Sequence, residues 1–196
     1  MLECQKMQGT ECFIKESLMR KRIAFLTCAV LVLSIFAAAQ AGGEQRPSPA
    51  ASAQCKFSDG KSIKVDYSSP RAKGRKIYGD LVPYGKVWRT GANEATTFVT
   101  GADLTIGGKV IPAGSYTMFT VPNQNRWELI VNKKTGEWGI PYKYESDEVG
   151  RYAMDVSKTS APVEDFTISF HEMGDGCHMY LDWENTRATI LISEKK

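Results

Sequence analysis

Hydrophobic and polar positions alternate along most of the chain beyond residue 55. Alternate side chains of a β-strand share a face, so this period of two is typical of strands with one buried face. Five segments carry the alternation through their large apolar residues: Ile63, Val65 and Tyr67; Trp127, Leu129 and Val131; Tyr152, Met154 and Val156; Phe166, Ile168 and Phe170; Met179, Leu181 and Trp183. The pattern predicts a domain built from strands.

Glycine-containing turns separate these segments. They are Asp59-Gly60, Gly107-Gly108, Pro112-Ala113-Gly114, Thr135-Gly136 and Gly174-Asp175-Gly176. Short strands joined by close turns predict an all-β fold, a single antiparallel β-sandwich or barrel-like domain with short turns and little helix, over residues 55–193. Because no long segment has an apolar stripe of period 3.6, we expect only single helical turns, near residues 81–84 or 145–149.

The last two apolar segments also predict the register of a hairpin. If their apolar side chains share one face, Phe170 pairs with Met179, and His171 then lies opposite His178 on the other face. A cross-strand histidine pair could supply half of a metal site, but the third and fourth ligands are not evident in the sequence. We therefore predict no metal and no cofactor.

Residues 19–41 have the organisation of a secretory signal peptide. A basic start at residues 20–22 precedes an almost unbroken apolar run over residues 23–39, and Ala39-Gln40-Ala41 offers the small residues that a signal peptidase requires. We predict cleavage after Ala41 and a secreted or periplasmic mature protein. The alternative is a transmembrane anchor, but the run is marginal against the about 20 apolar residues that a span needs. No membrane span is expected after cleavage.

The segments on either side of the signal peptide are polar. Residues 1–18 contain three glutamates and lack a signal peptide's basic start, so Met19 is the predicted initiator. Residues 42–54 contain no large apolar residue, which predicts a disordered linker.

Charge excludes one class of partner. Removal of residues 1–41 takes away five of the 25 Lys and Arg and three of the 22 Asp and Glu, which leaves a net charge of +1. Proteins that bind the phosphate backbone present a clustered basic surface, so we predict no nucleic-acid partner. No oligomeric state is predicted.

Two cysteines, Cys55 and Cys177, lie beyond the cleavage point. In an oxidising compartment such a pair favours a disulfide, which would join the start of the domain to a segment near its end. The alternative is two separate small core residues.

Two long motifs carry a family resemblance. One lies within residues 67–97 and includes Gly-Asp-Leu-Val-Pro-Tyr-Gly-Lys-Val-Trp-Arg-Thr-Gly-Ala-Asn-Glu-Ala-Thr-Thr over residues 79–97. The other is Ile-Gly-Gly-Lys-Val-Ile-Pro-Ala-Gly-Ser-Tyr-Thr-Met-Phe-Thr-Val-Pro over residues 106–122. With residues 127–132 and 181–184, they resemble a bacterial family known as domain of unknown function 2911, over about residues 55–192. The resemblance implies a secreted or envelope β-rich domain and supplies no substrate, cofactor or catalytic residue.

The densest polar cluster lies at residues 87–97. Trp88 offers an apolar face on which a sugar or an aromatic group could stack, Arg89 offers a fork for a carboxylate or phosphate, and Asn93 is both donor and acceptor. Gly91 interrupts the strand pattern, so we expect residues 90–94 to form a turn or bulge, with Arg89 facing Glu94 across it.

The cluster permits two interpretations. It forms the wall of a ligand site whose candidate residues are Arg71, Tyr84, Trp88, Arg89, Asn93 and Glu94. Alternatively, an ion pair between Arg89 and Glu94 only closes the loop.

The function expected from these features is binding of a small molecule or a glycan without turnover. A metal-independent hydrolase or lyase that uses Arg89, Glu94 and a second acid is the first alternative, and a structural envelope protein without a ligand is the second. Whether the protein is an enzyme stays open, with binding favoured, because the sequence contains no hydrolase or phosphate-loop motif.

Overall fold

A computed structural model of the protein describes residues 46–173 and 176–196. In this part of the chain, nine strands form one antiparallel sheet in the order β1-β2-β3-β6-β7-β8-β9-β4-β5. The strands are β1 (Ala50–Lys56), β2 (Ser62–Ser68), β3 (Thr96–Thr100), β4 (Leu104–Ile106), β5 (Lys109–Ile111), β6 (Gly114–Val121), β7 (Arg126–Asn132), β8 (Glu148–Met173) and β9 (Gly176–Glu194).

The predicted all-β antiparallel fold is confirmed, and the sheet is open, since β1 and β5 are its two edges. The one helical element of the described residues is a 3₁₀ turn at Glu145–Asp147, where a single turn was expected. Residues 81–84 form turns and no helix.

The first strand begins before the predicted start of the domain at residue 55. Residues 50–54, assigned above to a disordered linker, form most of β1 and pair with β2 from Ala50 opposite Ser68 to Lys56 opposite Ser62. No apolar alternation marks this strand, because its inward positions before Cys55 are Ala51 and Ala53, which are small and only half-buried. Backbone pairing to β2 orders the segment instead.

The long hairpin of β8 and β9 has the predicted register, with Phe170 opposite Met179 and His171 opposite His178. Its pairing shifts register between Lys158 and Val163 and again before Thr167. Such irregularities bend a strand pair. Beyond them, the far part of the hairpin lies against β1 and β2.

A disulfide bond, a hydrogen bond and an aromatic contact fix that packing. The predicted disulfide between Cys55 and Cys177 is confirmed, with a Cα–Cα distance of 6.3 Å. Nearby, the amide of Ile168 donates to the Tyr67 hydroxyl at 2.9 Å, and the Tyr67 ring meets the Phe166 ring edge-on.

The alternating apolar side chains form the main core. Its largest fully buried members include Trp127, Trp183, Phe98 and Phe166. A second cluster on the opposite face of β6 and β7 comprises Phe119, Val121 and Ile130 and is covered by Val87, Ala95, Tyr142 and Tyr144. The loops thus bury both faces of these two central strands.

The predicted initiator, signal peptide and cleavage point lie outside the described residues. In the part of the chain that the structure describes, no helix has the length and apolar character needed to cross a membrane.

Candidate functional site

A long loop between β2 and β3, residues 69–95, contains all six candidate site residues. Loops of this length without regular secondary structure are uncommon in compact domains and are frequently functional. Its end is bound to the sheet, since Trp88 and Thr120 of β6 exchange two backbone hydrogen bonds of 2.7 and 2.9 Å.

The loop forms one side of a cavity of about 600 Å³, which we call the Arg89 pocket. We call the half-buried Trp88 the floor of the pocket. The fully buried Trp183 lies next to it, nearly parallel and with the ring centroids 5.9 Å apart. Apolar side chains supply most of the wall: Pro47, Pro70, Leu81, Val82, Pro83, Val87, Ala92 and Ile140. Three of these are prolines, so much of the wall has a fixed backbone shape.

The charged lining residues of the pocket are all basic: Arg71, Lys73, Arg75, Lys86 and Arg89. No Asp or Glu of the described chain lines it. Arg71 forms an ion pair with Asp165 at 2.8 Å. The other four make no ion pair with a described carboxylate. The pocket therefore presents positive charge above an apolar floor, with no described carboxylate in its lining.

Arg89 is the most constrained of these cations. Its Nη1 donates to the carbonyl oxygens of Asn93 and Trp138, and its guanidinium lies over the Trp138 ring. Burial lowers the pKa of Arg89, although the guanidinium stays charged at neutral pH. Its Nε and Nη2 groups donate to no acceptor in the described residues.

The predicted turn at residues 90–94 is confirmed as a run of bends. Thr90 and Asn93 have φ angles of +57° and +58°, and a β-branched residue seldom adopts that conformation. Buried hydrogen bonds hold Thr90 there: its hydroxyl lies 3.1 Å from that of Thr120, and its carbonyl accepts from the Thr96 hydroxyl at 2.7 Å. Such over-determined backbone is common at functional sites.

Asn93 and Glu94 do not line the Arg89 pocket. Asn93 donates to the Ser48 carbonyl and to the Ser68 hydroxyl, both at 3.1 Å. Glu94 accepts from Arg46 at 2.9 and 3.0 Å. These two residues anchor the segment that precedes β1.

The expected ion pair between Arg89 and Glu94 is absent from the described structure. Glu94 is exposed and points to Arg46, while Arg89 turns to backbone carbonyls. The pKa of Glu94 is lowered by its own backbone amide and by Arg46, so this carboxyl favours the ionised form and is unsuited to act as a general acid.

Tyr84 belongs to a different cavity of about 260 Å³, lined also by Tyr78, Asn123, Trp127 and Asn185. The sequence-predicted set is thus divided: Arg71, Trp88 and Arg89 meet at the Arg89 pocket, whereas Tyr84, Asn93 and Glu94 lie elsewhere.

His171 and His178 face each other across the β8–β9 hairpin, as the register predicted. Within the described residues, no three His, Cys, Asp or Glu side chains come together as a metal site would need.

The sequence did not predict several of the lining residues, among them Lys73, Lys86, Ile140 and Trp183. One local signal was available for Lys73, because residues 67–79 contain four basic residues and no acid. Ile140 and Trp183 are distant in sequence from the loop, and no local pattern associates them with it.

The fold and the pocket define an all-β domain with a basic, apolar-floored cavity beside one open sheet. Residues 48–192 match the family described as "Protein of unknown function (DUF2911)", and the chain belongs to that family. No curated protein matches the chain, and no solved structure does.

Proposed function

We propose that this domain is a binding module that holds a small molecule with an anionic group in the Arg89 pocket, without turnover. The observation that carries the proposal is the lining of the cavity, which combines five basic residues, no described carboxylate and a floor formed by Trp88. Ligand pockets typically combine a mostly apolar lining with a few convergent polar groups.

Arg89 is the proposed anchor for the anion. Its Nε and Nη2 groups match the two oxygens of a carboxylate or of a phosphate, and its half-buried position strengthens the attraction relative to bulk water. Lys73, Arg75 and Lys86 are exposed, so they add long-range attraction that salt screens.

A neutral glycan suits this cavity less well than an anion. Sugar hydroxyls need acceptors as well as donors, and the only side chain among the described lining residues that can accept a hydrogen bond is that of Ser48. The hydrolase alternative lacks its second acid, since no described carboxylate lines the pocket.

We further propose that residues 19–41 direct export and are removed after Ala41. A disulfide between Cys55 and Cys177 is compatible with an oxidising compartment. Intact mass of the exported protein tests the proposal, because an N-terminus at residue 42 is expected and retention of residues 23–36 would contradict it.

Benzoate and benzyl alcohol test the binding proposal. They share a ring that fits over Trp88 but differ in charge, and the tryptophans of the pocket report binding through their fluorescence. Benzoate is expected to bind at least about tenfold more tightly, the scale of a charge-assisted hydrogen bond. Arg89→Met should abolish the preference, whereas Arg126→Met, which removes an exposed cation on β7, should leave it unchanged. Equal binding of both compounds would refute the proposal.

A further inference from the structure

Three exposed apolar side chains lie at the mouth of the Arg89 pocket. Leu81 is 44% exposed and Ile140 41% exposed, and both line the cavity. Trp138 is 55% exposed and covers the guanidinium of Arg89. Single exposed apolar residues are ordinary, but apolar residues grouped at the rim of a cavity mark a surface that a ligand covers.

The structure holds these side chains in place. Leu81 occupies a tight turn in which the Val82 amide donates to the Ile77 carbonyl at 2.9 Å and the Gly79 amide donates to the Val82 carbonyl at 2.9 Å. On the other side, a Cβ at Gly139 would lie 2.8 Å from the Ala95 Cβ, so the segment carrying Trp138 and Ile140 packs closely on the main loop.

The floor of the pocket offers carbon atoms and no hydrogen-bond donor. The Trp88 indole N–H donates to the Gly91 carbonyl, and the Trp183 indole N–H donates to the Glu164 carbonyl, each at 3.1 Å. Both indole nitrogens are thus satisfied within the protein. The half-buried Trp88 offers its ring to the cavity, whereas Trp183 is 1% exposed and stacks on Trp88 within the core. Such a floor suits an aliphatic chain better than a hydroxylated ring.

We infer that the ligand is a single-chain anionic amphiphile, of the chemical class of a fatty carboxylate or an alkyl phosphate. Its anionic head binds Arg89, its chain crosses the ring of Trp88, and the chain leaves the cavity between Leu81 and Ile140. The inference rests on the proposed anion-binding function and specifies the ligand class of the same pocket.

A chain-length series tests the inference. Acetate, octanoate and decanoate are titrated below their micellar concentrations, with decyl glucoside as the neutral amphiphile and benzoate as the reference anion. Affinity should rise roughly fourfold per added methylene while the chain stays within the cavity. Decanoate should bind at least about tenfold more tightly than decyl glucoside.

The outcomes separate the two proposals. If benzoate binds and decanoate binds no more tightly than acetate, the amphiphile inference fails and the anion-binding function stands. If decyl glucoside equals decanoate, charge is not recognised and the inference also fails. If no anion binds, both proposals fail.

Paired leucine variants locate the chain. Leu81→Ser should weaken decanoate binding about tenfold and leave benzoate binding unchanged. Leu191→Ser is the matched control, because Leu191 is 47% exposed and does not line this pocket. An equal effect of the two variants would overturn the assigned exit path.

Vesicles distinguish a free amphiphile from a membrane surface. If the protein sediments with phosphatidylglycerol vesicles but does not bind decanoate, the inference is wrong and the protein docks on a membrane surface instead. Binding of monomeric decanoate with no sedimentation supports it.

Discussion

The guanidinium of Arg89 lies 4.9 Å from the centroid of the Trp138 ring, and its Nη1 also donates to the Trp138 carbonyl. This contact joins the loop between β2 and β3 to a segment 49 residues away that follows β7. A distant segment therefore orients the arginine proposed to bind the anion. The residues next to Arg89 in the sequence do not indicate this contact.

Trp138→Ala should weaken benzoate binding about three- to tenfold, because a partly exposed cation–π contact contributes about 0.5–1 kcal/mol and its loss also frees the guanidinium to move. The melting temperature should change little, since the ring is exposed. Tyr180→Ala is the control, because Tyr180 lies under Arg187 in a similar contact away from the pocket. Equal binding by the two variants would show that Trp138 does not position Arg89.

Gly139→Ala should destabilise the domain more than Gly136→Ala. Both glycines have positive φ angles, +87° and +77°, so both variants carry the same backbone strain. Only at Gly139 would the new Cβ meet Ala95 at 2.8 Å and Phe119 at 3.0 Å, whereas nothing lies within 4 Å at Gly136. We expect a loss of about 1 kcal/mol at Gly136 and about 2–4 kcal/mol at Gly139, measured by urea unfolding. Similar losses would contradict the close packing of this segment.

Replacement of both disulfide cysteines, Cys55→Ser with Cys177→Ser, should lower the free energy of unfolding by as much as about 4–5 kcal/mol. The bond closes a loop between residues 122 positions apart, and cross-links of long loops restrict the unfolded chain most. Denaturant unfolding of the double variant measures the loss, and wild-type protein under reductant should show the same decrease. An unchanged midpoint in both would contradict the prediction.

Glu148→Gln should make the free energy of unfolding less dependent on pH in the acidic range. The wild-type protein loses the stabilising contribution of the Glu148 carboxylate when that group is protonated, and the variant lacks this contribution at every pH. Arg151 and the Tyr142 hydroxyl, which contact the carboxylate at 2.9 and 2.7 Å, lower the pKa of Glu148 below its usual 4.5. A lowered folded-state pKa stabilises the fold fully above 4.5, and this contribution is lost as pH falls through the folded value. We expect the variant to be about 1–3 kcal/mol less stable at pH 7, with the difference from wild type shrinking towards pH 3.

Glu128→Gln provides the matched control for that experiment. Glu128 reaches the same Arg151 at 3.4 Å but is 48% exposed, whereas Glu148 is 16% exposed. Exposed ion pairs contribute little, so this variant should follow the wild-type pH profile. A wild-type profile for Glu148→Gln as well would refute the role assigned to its carboxylate.

Glu94→Gln should leave both the melting temperature and benzoate binding unchanged. Its carboxylate is exposed, pairs with the exposed Arg46 and lies outside the pocket. Thermal unfolding and the benzoate titration check this outcome. A loss of benzoate binding with the fold intact would show that Glu94 takes part in the binding site.

The sequence by itself determined the buried positions of the regular strands and some local turns of this protein. The alternation in Trp127, Leu129 and Val131 predicted buried positions, and all three are fully buried. The face shared by Phe170 and Met179 predicted the hairpin register, because a shift of one residue would turn every apolar side chain outward. Gly91 marked the bend before β3, where a Cβ would lie 2.9 Å from the Ser68 carbonyl.

The partners of the loop side chains were decided only by the tertiary structure. Arg89 and Glu94 are close in sequence and opposite in charge, yet they contact Trp138 and Arg46, which come from other segments. A loop has no repeating geometry, so its sequence spacing does not determine which side chains meet. The strand periodicity therefore determined the main buried positions and the register of one hairpin, whereas the gathering of distant residues such as Ile140 and Trp183 around Arg89 depended on how the folded chain brings distant segments together.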